Sequence, residues 1–172
     1  MRAVGSWDKG VSYEYAYNLI MSKLKRATRL NQKCYLYILL IQLRNGSRVS
    51  EAVRAFKEFV KNHTRECEVL VSKKKNKETR PMILPAEISL DDLSACSELV
   101  TVDEKKLVNR VKVFAVRNLK INTHSLRYAF ITYLVKSGVS PALIARLTHH
   151  SKLDYIVHYT QSKAAVELLK QL

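Results

Sequence analysis

The stretch THSLRYAFITYLVKSGVSPALIARLTHHSKLDYIVHY, residues 123–159, decides the fold of this 172-residue chain. His124 and Arg127 are three residues apart, so they share one face of a helix. Apolar residues recur at helical spacing and predict a buried opposite side: Leu126, Phe130 and Leu134. Gly138 suits the position after the helix end. Ser140 and Pro141 then predict the start of a second helix over residues 141–147.

These short helices bring histidines, an arginine and a tyrosine close together. Arginine binds phosphate oxygens with its planar fork, histidine transfers protons, and a tyrosine hydroxyl can act as a nucleophile. The combination favours chemistry on a phosphate. Each element alone is weak evidence, because His-x-x-Arg pairs are common on solvated helices and tyrosines near a C-terminus usually pack. Their order and spacing together are far more specific.

The stretch resembles the tyrosine recombinase (phage integrase) family. The family pattern is H-x-L-R, then a turn similar to L-G-H, then a tyrosine nine residues later. Here the pattern is met by His124 to Arg127, by LTHH ending at His150, and by Tyr159. His149 stands where the family usually has glycine, so a bulkier residue fills that backbone position.

An upstream box carries further resemblance. NGSRVSEA, residues 45–52, is similar to the family's T-G-x-R-x-S-E-A, and this match implies that Arg48 is the first catalytic arginine. Asn45-Gly46 predicts a turn that ends the preceding helix. Ser50 is expected to cap the next helix and Glu51 to buttress nearby donors. By itself the box would also fit an ordinary helix start with a solvated arginine.

A hairpin follows the box. Residues 67–71 and 80–84 are predicted strands, and the polar, basic connection between them is typical of a hairpin. The family has a three-stranded sheet here with a catalytic lysine on the hairpin, often within K-x-N-K-x-R. Lys74 matches best, with Lys73 and Lys75 as rivals. The alternative to a catalytic lysine is a solvated loop that contacts phosphates without specificity. Four basic residues here are expected to bind DNA: Lys73, Lys75, Lys77 and Arg80.

Composition points to a polyanionic partner. Lys and Arg number 30 against 15 Asp and Glu, which gives a net charge of +15 and favours nucleic acid. An anionic membrane surface, or basicity that serves only solubility, is the alternative. The sequence has neither an apolar run long enough to span a membrane nor a signal peptide, so a cytoplasmic protein beside its DNA is expected. Cys34, Cys67 and Cys96 have no C-x-x-C spacing and predict reduced thiols rather than a disulfide or zinc site.

The expected fold is α+β and mainly helical, a tyrosine-recombinase-like catalytic domain with a small antiparallel hairpin. Helices are predicted over residues 11–30, 32–44, 48–61 and 103–119, with a short one after Ser89 and a tail helix over 162–172. The second should be central to the core. Residues 1–172 are expected to be a single catalytic domain, without the core-binding domain that family members carry before it.

The resemblance implies a site-specific DNA recombinase with six catalytic side chains: Arg48, Lys74, His124, Arg127, His150 and Tyr159. Tyr159 would attack a phosphodiester and form a 3′-phosphotyrosyl bond, while the two arginines neutralise the phosphate. The histidine of H-x-L-R would act as the general base, the second would donate to a phosphate oxygen, and the lysine would protonate the leaving 5′-oxygen. Because the covalent link conserves the energy of the bond, rejoining should need no nucleotide. The sequence shows no acidic cluster suited to Mg²⁺, so neither a metal nor another cofactor is expected.

Two other functions stay open. A type IB topoisomerase would use a similar constellation as a monomer, whereas a recombinase exchanges strands between two duplexes as a tetramer. A decayed, non-enzymatic DNA-binding module would keep only the basic surface. We expect double-stranded DNA as the partner, a monomer in free solution and a homotetramer on DNA. The apolar stripe of the tail would pack either on its own domain or on a neighbouring subunit.

Overall fold

The computed structural model describes residues 11–73, 75–150, 162 and 165–172. Seven α-helices and one two-stranded sheet make up the part from residue 11 to residue 150. In chain order the elements are α1 (Tyr13–Arg26), α2 (Leu30–Asn45), α3 (Val49–Asn62), β1 (Glu66–Leu70), β2 (Thr79–Ile83), α4 (Leu90–Ser94), α5 (Glu104–Phe114), α6 (Thr123–Lys136) and α7 (Pro141–Thr148). The expectation of a mainly helical α+β fold is confirmed.

Helix α2 lies at the centre of the core, as its sequence predicts. Seven apolar side chains are fully or almost fully buried along it: Cys34, Leu36, Ile38, Leu39, Leu40, Ile41 and Leu43. A helix that is apolar on all sides needs neighbours on all sides. It packs against α1, α3 and α6, and it also contacts α5 and β2. These contacts on all sides hold α2 in position, including its C-terminal end.

Helix α3 and the hairpin form the next layer. The buried face of α3 is strongly apolar and includes Ala52, Phe56 and Phe59. The two strands are antiparallel, with Cys67 opposite Met82. They begin one residue earlier than predicted, and in the described residues the sheet has two strands where the family resemblance implied three. β1 packs on α3, which fixes the base of the hairpin.

Capping residues set the ends of the last helices. The α-helical part of α5 ends at Phe114 and continues as a π-helical turn, Ala115–Leu119, inside the range predicted as one helix. Asn122 Oδ1 accepts from the backbone N–H of His124 at the start of α6. Ser140 Oγ accepts from Leu143 N–H at the start of α7, with proline at its first position, as the sequence predicts.

Gly46 ends α2 in a conformation and a space that exclude a side chain. Its φ of +58° lies in the left-handed region. A Cβ placed there would lie 2.1 Å from Cδ1 of Phe130 on α6. The predicted Asn45-Gly46 turn is thus also a point where α6 lies close against the backbone.

A disulfide between Cys34 and Cys96 corrects the expectation of three reduced cysteines. Its two Cα atoms are 5.9 Å apart although 62 residues separate them in the sequence. Because this proximity is made by the packing of α2 against the segment after α4, no local spacing reveals it. Cys67 is a free, half-buried thiol whose pKa is raised to about 12 by burial and by nearby glutamates, which makes it a poor nucleophile.

The described part of the tail is helical and leaves apolar side chains in solvent. Residues 165–171 form the helical run, and Leu169 is 73% exposed. Within the parts of the chain that the structure describes, no helix is long and apolar enough to cross a membrane.

Candidate active site

Arg48 occupies the N-cap of α3 and is held by Glu51. Its backbone N–H donates to Glu51 Oε2 and its Nη1 donates to Glu51 Oε1, both at 3.1 Å. Ser50 is not the cap that the sequence suggested. Its hydroxyl instead lies 2.6 Å from the hydroxyl of Ser72, across the junction with the hairpin. The predicted buttress, Glu51, thus fixes the orientation of the arginine.

Glu51 is fully buried and binds two further residues besides Arg48. Arg80 Nη1 donates to Oε2 at 3.2 Å, and Ser72 N–H donates to Oε1 at 3.1 Å. Burial alone would raise the pKa of Glu51, but the hydrogen bond from the Arg48 N–H and the charge of Arg80 outweigh it, so the pKa is lowered. The carboxylate is therefore ionised and holds two guanidiniums on its own side.

Arg127 is 1% exposed and joins three separate segments of the chain. Nη1 donates to the carbonyl of Gly46 at 2.9 Å, and Nη2 donates to the carbonyl of Thr148 at 2.7 Å. Nη2 also lies 3.2 Å from Nδ1 of His150. Burial, together with the charge of Arg48, lowers its pKa to about 10, so it remains charged at neutral pH. The guanidinium thus sits beside Arg48 with its direction fixed from both sides.

His150 is a neutral imidazole at neutral pH. Burial lowers its pKa to about 4, and the charges of Arg127 and Arg48 act in the same direction. Because a guanidinium donates and never accepts, its contact with Nδ1 favours the tautomer in which that nitrogen accepts and Nε2 carries the ring proton. The Thr148 hydroxyl, 2.7 Å from the same nitrogen, fixes the ring further. Nε2–H is then the donor that a phosphate oxygen would meet.

His124 lies on the first turn of α6 and is exposed. Its ring packs edge-on against Tyr128 with centroids 4.9 Å apart. Partial desolvation lowers its pKa, and the charges of Arg127 and Lys73 lower it further. Four of the predicted site residues, Arg48, His124, Arg127 and His150, therefore influence each other within one cluster.

The remaining predicted residues divide into three groups. Lys73, Lys75 and Lys77 are exposed on the hairpin loop, which suits the predicted contact with DNA. Lys74 and Tyr159 lie outside the described residues. Arg80 is 3% exposed, and its Nη2 donates to the carbonyl of Asn45 at 2.7 Å. The expectation that Arg80 contacts DNA does not fit this burial, because Glu51 and Asn45 hold its guanidinium inside the protein.

Comparison with known proteins identifies the family of this chain. The family model for the phage integrase family matches residues 13–165. The chain belongs to the phage integrase family. A candidate integrase of Acidianus two-tailed virus is 42% identical over 171 residues, which cover 98% of this chain and 69% of that relative. An uncharacterized protein of Methanocaldococcus jannaschii is 34% identical, covering 98% of this chain and 89% of the relative. A candidate integrase of Sputnik virophage is 29% identical, covering 94% and 88%. No solved structure matches the chain.

Membership makes this chain an integrase catalytic domain, a site-specific recombinase whose substrate is DNA. Across the described residues, no group of three or more His, Cys, Asp or Glu side chains could hold a metal ion.

Three supporting residues of the integrase site were missed by sequence reasoning. Gln42 is buried, and its Nε2 donates to the carbonyls of Ser47 and Thr123 at 3.2 and 2.9 Å. Arg80 was expected to contact DNA, whereas its guanidinium binds Glu51, and Thr148 was treated only as part of a turn. The signal for Gln42 was present, since one amide stands inside the apolar run from Leu36 to Leu43.

His149 shows what replaces the family glycine in this integrase. Its φ is +53°, in the left-handed region, so the residue keeps a backbone conformation that glycine adopts more easily. Its Nδ1 lies 2.8 Å from Glu78 Oε1, at the end of the hairpin loop. A cleft of about 420 Å³ lies at this junction, lined by Glu78, Ala145, Arg146, His149 and His150. The bulkier residue therefore adds a contact between α7 and the hairpin.

Two substitutions of His149 should distinguish the effect of its left-handed backbone from the effect of its contact with Glu78. His149→Ala keeps the left-handed strain and loses Glu78, whereas His149→Gly loses the contact but relieves the strain. We expect the glycine variant to have a free energy of unfolding about 1 kcal/mol above that of the alanine variant, measured in urea. His63, with φ +49° at the end of α3, is the matched control and should show a similar difference. Equal stabilities of the two His149 variants would contradict a left-handed conformation in solution.

The low pKa of His150 predicts a loss of stability in mild acid. The ring titrates at about 4 in the folded state and at about 6.5 when unfolded. Between these values the unfolded state binds more protons, so stability should fall as the pH drops from 6.5 to 4, by at most about 3 kcal/mol. His124 contributes in the same direction. His150→Gln should flatten the dependence of unfolding free energy on pH. An unchanged slope would mean that the ring titrates normally.

Proposed function

We propose that this integrase cleaves and rejoins DNA through a 3′-phosphotyrosyl intermediate on Tyr159. The observation that carries the proposal is the buried guanidinium of Arg127, fixed between two carbonyls and next to His150. Arg48 approaches from the start of α3 with its own carboxylate support. Together they form a preorganised site for a phosphate.

Electrostatics supports an anionic ligand at this cluster. Burial lowers the pKa of Arg127, His124 and His150, and neighbouring positive charges lower each pKa further, so positive charge is already concentrated at this cluster. A bound phosphodiester would offset this charge. In the transition state, negative charge grows on the non-bridging oxygens, and fixed donors that face them stabilise it most. Arg48, Arg127 and the Nε2–H of His150 are suited to that role.

Proton transfers complete the proposed reaction. The Tyr159 hydroxyl gives its proton to His124, whose lowered pKa leaves the ring neutral and able to accept. The Tyr159 oxygen forms a bond to phosphorus as the bond from phosphorus to the 5′-oxygen breaks. The leaving oxygen takes a proton from Lys74. Rejoining is the reverse, with the 5′-hydroxyl attacking the phosphotyrosyl bond, so no nucleotide is consumed.

Capture of the covalent intermediate tests the proposal. The full chain is incubated with duplexes whose sequence is randomised and which carry a nick a few nucleotides 3′ of each possible scissile phosphate. Cleavage then releases a short oligonucleotide with a 5′-hydroxyl, and the protein stays attached. Phenol extraction recovers DNA that is linked to protein, and sequencing yields the preferred site. Absence of any linked DNA would contradict the proposal. Transfer of the linked strand to a second duplex separates recombination from topoisomerase-like relaxation.

The exposed tail supports assembly on DNA. Four apolar side chains of the described tail are more than half exposed: Val166, Leu168, Leu169 and Leu172. We propose that the apolar stripe of the tail packs on a neighbouring subunit in a homotetramer on DNA, while the free protein is a monomer. The residues of this stripe recur at helical spacing: Ala165, Leu168, Leu169 and Leu172. Cyclic exchange of tails would close a ring around the two duplexes. Sedimentation of the free and the DNA-bound protein measures both states.

Lys74 is expected to act on the leaving group. Lys74→Ala should slow formation of the covalent adduct by about 10²–10⁴-fold, because general acid catalysis has this magnitude. A substrate with sulfur in place of the scissile 5′-oxygen should restore the rate, since a thiol ionises with a pKa near 8.5 and leaves without protonation. Lys73→Ala and Lys75→Ala are the matched controls and should need no rescue. Rescue of Lys75→Ala instead would move the assignment by one residue.

A further inference from the structure

Ser72 is the residue that precedes the lysine loop, and α3 holds it by both its backbone and its side chain. Its N–H donates to Glu51 Oε1 at 3.1 Å. Its hydroxyl lies 2.6 Å from the Ser50 hydroxyl, and it accepts from Arg54 Nη1 at 3.1 Å. The three partners belong to the first turns of the helix that begins beside Arg48. The start of the loop is therefore attached to the same structural element as the first arginine.

Arg54 is itself fixed, so the attachment is firm. Its Nε donates to both carboxylate oxygens of Glu104 on α5, at 3.0 and 3.1 Å. Its Nη1 also donates to the carbonyl of Leu70 at 2.7 Å, the last residue of β1. One guanidinium thus joins α3, α5 and the end of the strand. Ser72 completes this arrangement at the point where the strand gives way to the loop.

The described lysines of the hairpin loop point into solvent. Lys73, Lys75 and Lys77 are exposed, and a lysine side chain is long and flexible. Val71 N–H donates to the carbonyl of Glu78 at 2.8 Å and closes the loop at its base. Glu78 then contacts His149 at the other end. The charge of Lys73 depresses the pKa of His124, so the loop lies within electrostatic reach of the site.

We propose that Ser72 is a positioning residue for the leaving-group lysine, holding the hairpin loop in register with Arg48 through Ser50 and Arg54. The inference rests on the proposed function, because it assumes a lysine of this loop as the general acid. In the proposed reaction Ser72 takes no part in the bond changes itself. Its hydroxyl fixes where the loop leaves the strand, and that direction decides whether the ammonium reaches the 5′-oxygen.

The test compares two substrates that differ in one atom. Single-turnover formation of the adduct is measured with the usual 5′-oxygen and with a 5′-sulfur at the scissile position. Ser72→Ala should slow cleavage of the oxygen substrate by about 10- to 100-fold, since a displacement near 1 Å has that effect. It should cleave the sulfur substrate at the wild-type rate. Ser72→Thr, which keeps a hydroxyl, should recover most of the loss.

Matched variants separate positioning from general damage. Ser94→Ala removes a serine hydroxyl on α4 that donates to the Leu90 carbonyl, and it should leave both rates unchanged. Arg48→Ala should be slow on both substrates, because the phosphate charge is present in either. Ser50→Ala removes the same hydroxyl pair from the helix side, and its effect should not add to that of Ser72→Ala. If Ser72→Ala melts at a much lower temperature than the wild type, Ser50→Ala takes its place in the comparison of the two substrates.

The outcomes distinguish the two proposals. Slower cleavage of the oxygen substrate by Ser72→Ala, together with cleavage of the sulfur substrate at the wild-type rate, supports the role of Ser72. Equal loss on both substrates, or no loss on either, overturns it while leaving the tyrosine mechanism intact. If the wild-type protein forms no adduct with any substrate, the mechanism itself is contradicted, and the catalytic role of Ser72 fails with it.

Discussion

Tyr159→Phe is expected to abolish the covalent protein–DNA adduct while the affinity for DNA changes little. Phenylalanine keeps the ring but has no oxygen that could bond to phosphorus. In the proposed reaction the contacts to phosphate come from residues other than Tyr159, namely the two arginines and the exposed lysines of the hairpin loop. Phosphate contacts of this kind dominate affinity for DNA. The nucleophile therefore adds chemistry and little binding.

Two nearby tyrosines provide the controls for this result. Tyr128 packs against His124, so Tyr128→Phe keeps the ring contact and should still form adduct. Tyr155 is four residues before Tyr159 in the sequence and should also be dispensable. The measurement is a denaturing gel of the suicide reaction, with binding followed separately by a filter assay. Adduct from Tyr159→Phe but not from Tyr155→Phe would show that the nucleophile is assigned to the wrong tyrosine.

Arg127→Lys is expected to damage both catalysis and stability. A lysine ammonium cannot span the carbonyls of Gly46 and Thr148 while facing His150, because its donors radiate from one nitrogen. Loss of a fixed donor to transition-state charge costs about 10²–10³-fold in rate. A buried carbonyl left without a partner costs about 1–3 kcal/mol in the free energy of unfolding. Both losses should appear in one variant.

The matched control for Arg127→Lys is Arg110→Lys, on the exposed side of α5. This control makes the same arginine-to-lysine change at an exposed position, so the free energy of unfolding and the rate of cleavage should stay near the wild-type values. Urea unfolding measures the first, and single-turnover adduct formation measures the second. An Arg127→Lys protein that cleaves within about threefold of wild type would show that a point charge suffices and that the fork of donors has no special role.

Residues whose positions depend on local spacing were predictable from the sequence. The i, i+3 pair of His124 and Arg127 sets one face of α6, and Ser140 with Pro141 sets the start of α7. Glu51, three residues after Arg48, was expected to support it and does so. Such relations depend on helix geometry, which the sequence specifies within a few residues.

Residues whose roles depend on distant packing were not predictable. Arg80 carries the same charge as the loop lysines, yet alternation along β2 turns it inward to Glu51. The Cys34–Cys96 disulfide joins segments 62 residues apart, and the hydrogen bond from Gln42 to the Thr123 carbonyl joins segments 81 residues apart. Strand ends were misplaced by one residue because the apolar pattern marks which side is buried more sharply than where pairing stops. No spacing rule connects such positions before the chain has folded.

The bridge made by Arg127 has a consequence for biosynthesis. Its two carbonyl partners are Gly46, 81 residues earlier, and Thr148, 21 residues later. A chain emerging from the ribosome presents Arg48 and the hairpin long before α6 and α7 exist, and contacts between distant segments form late. The phosphate site can be assembled only after residue 148 has left the exit tunnel. If the proposed function holds, a nascent or truncated chain should bind DNA through its basic surface but should not cleave it.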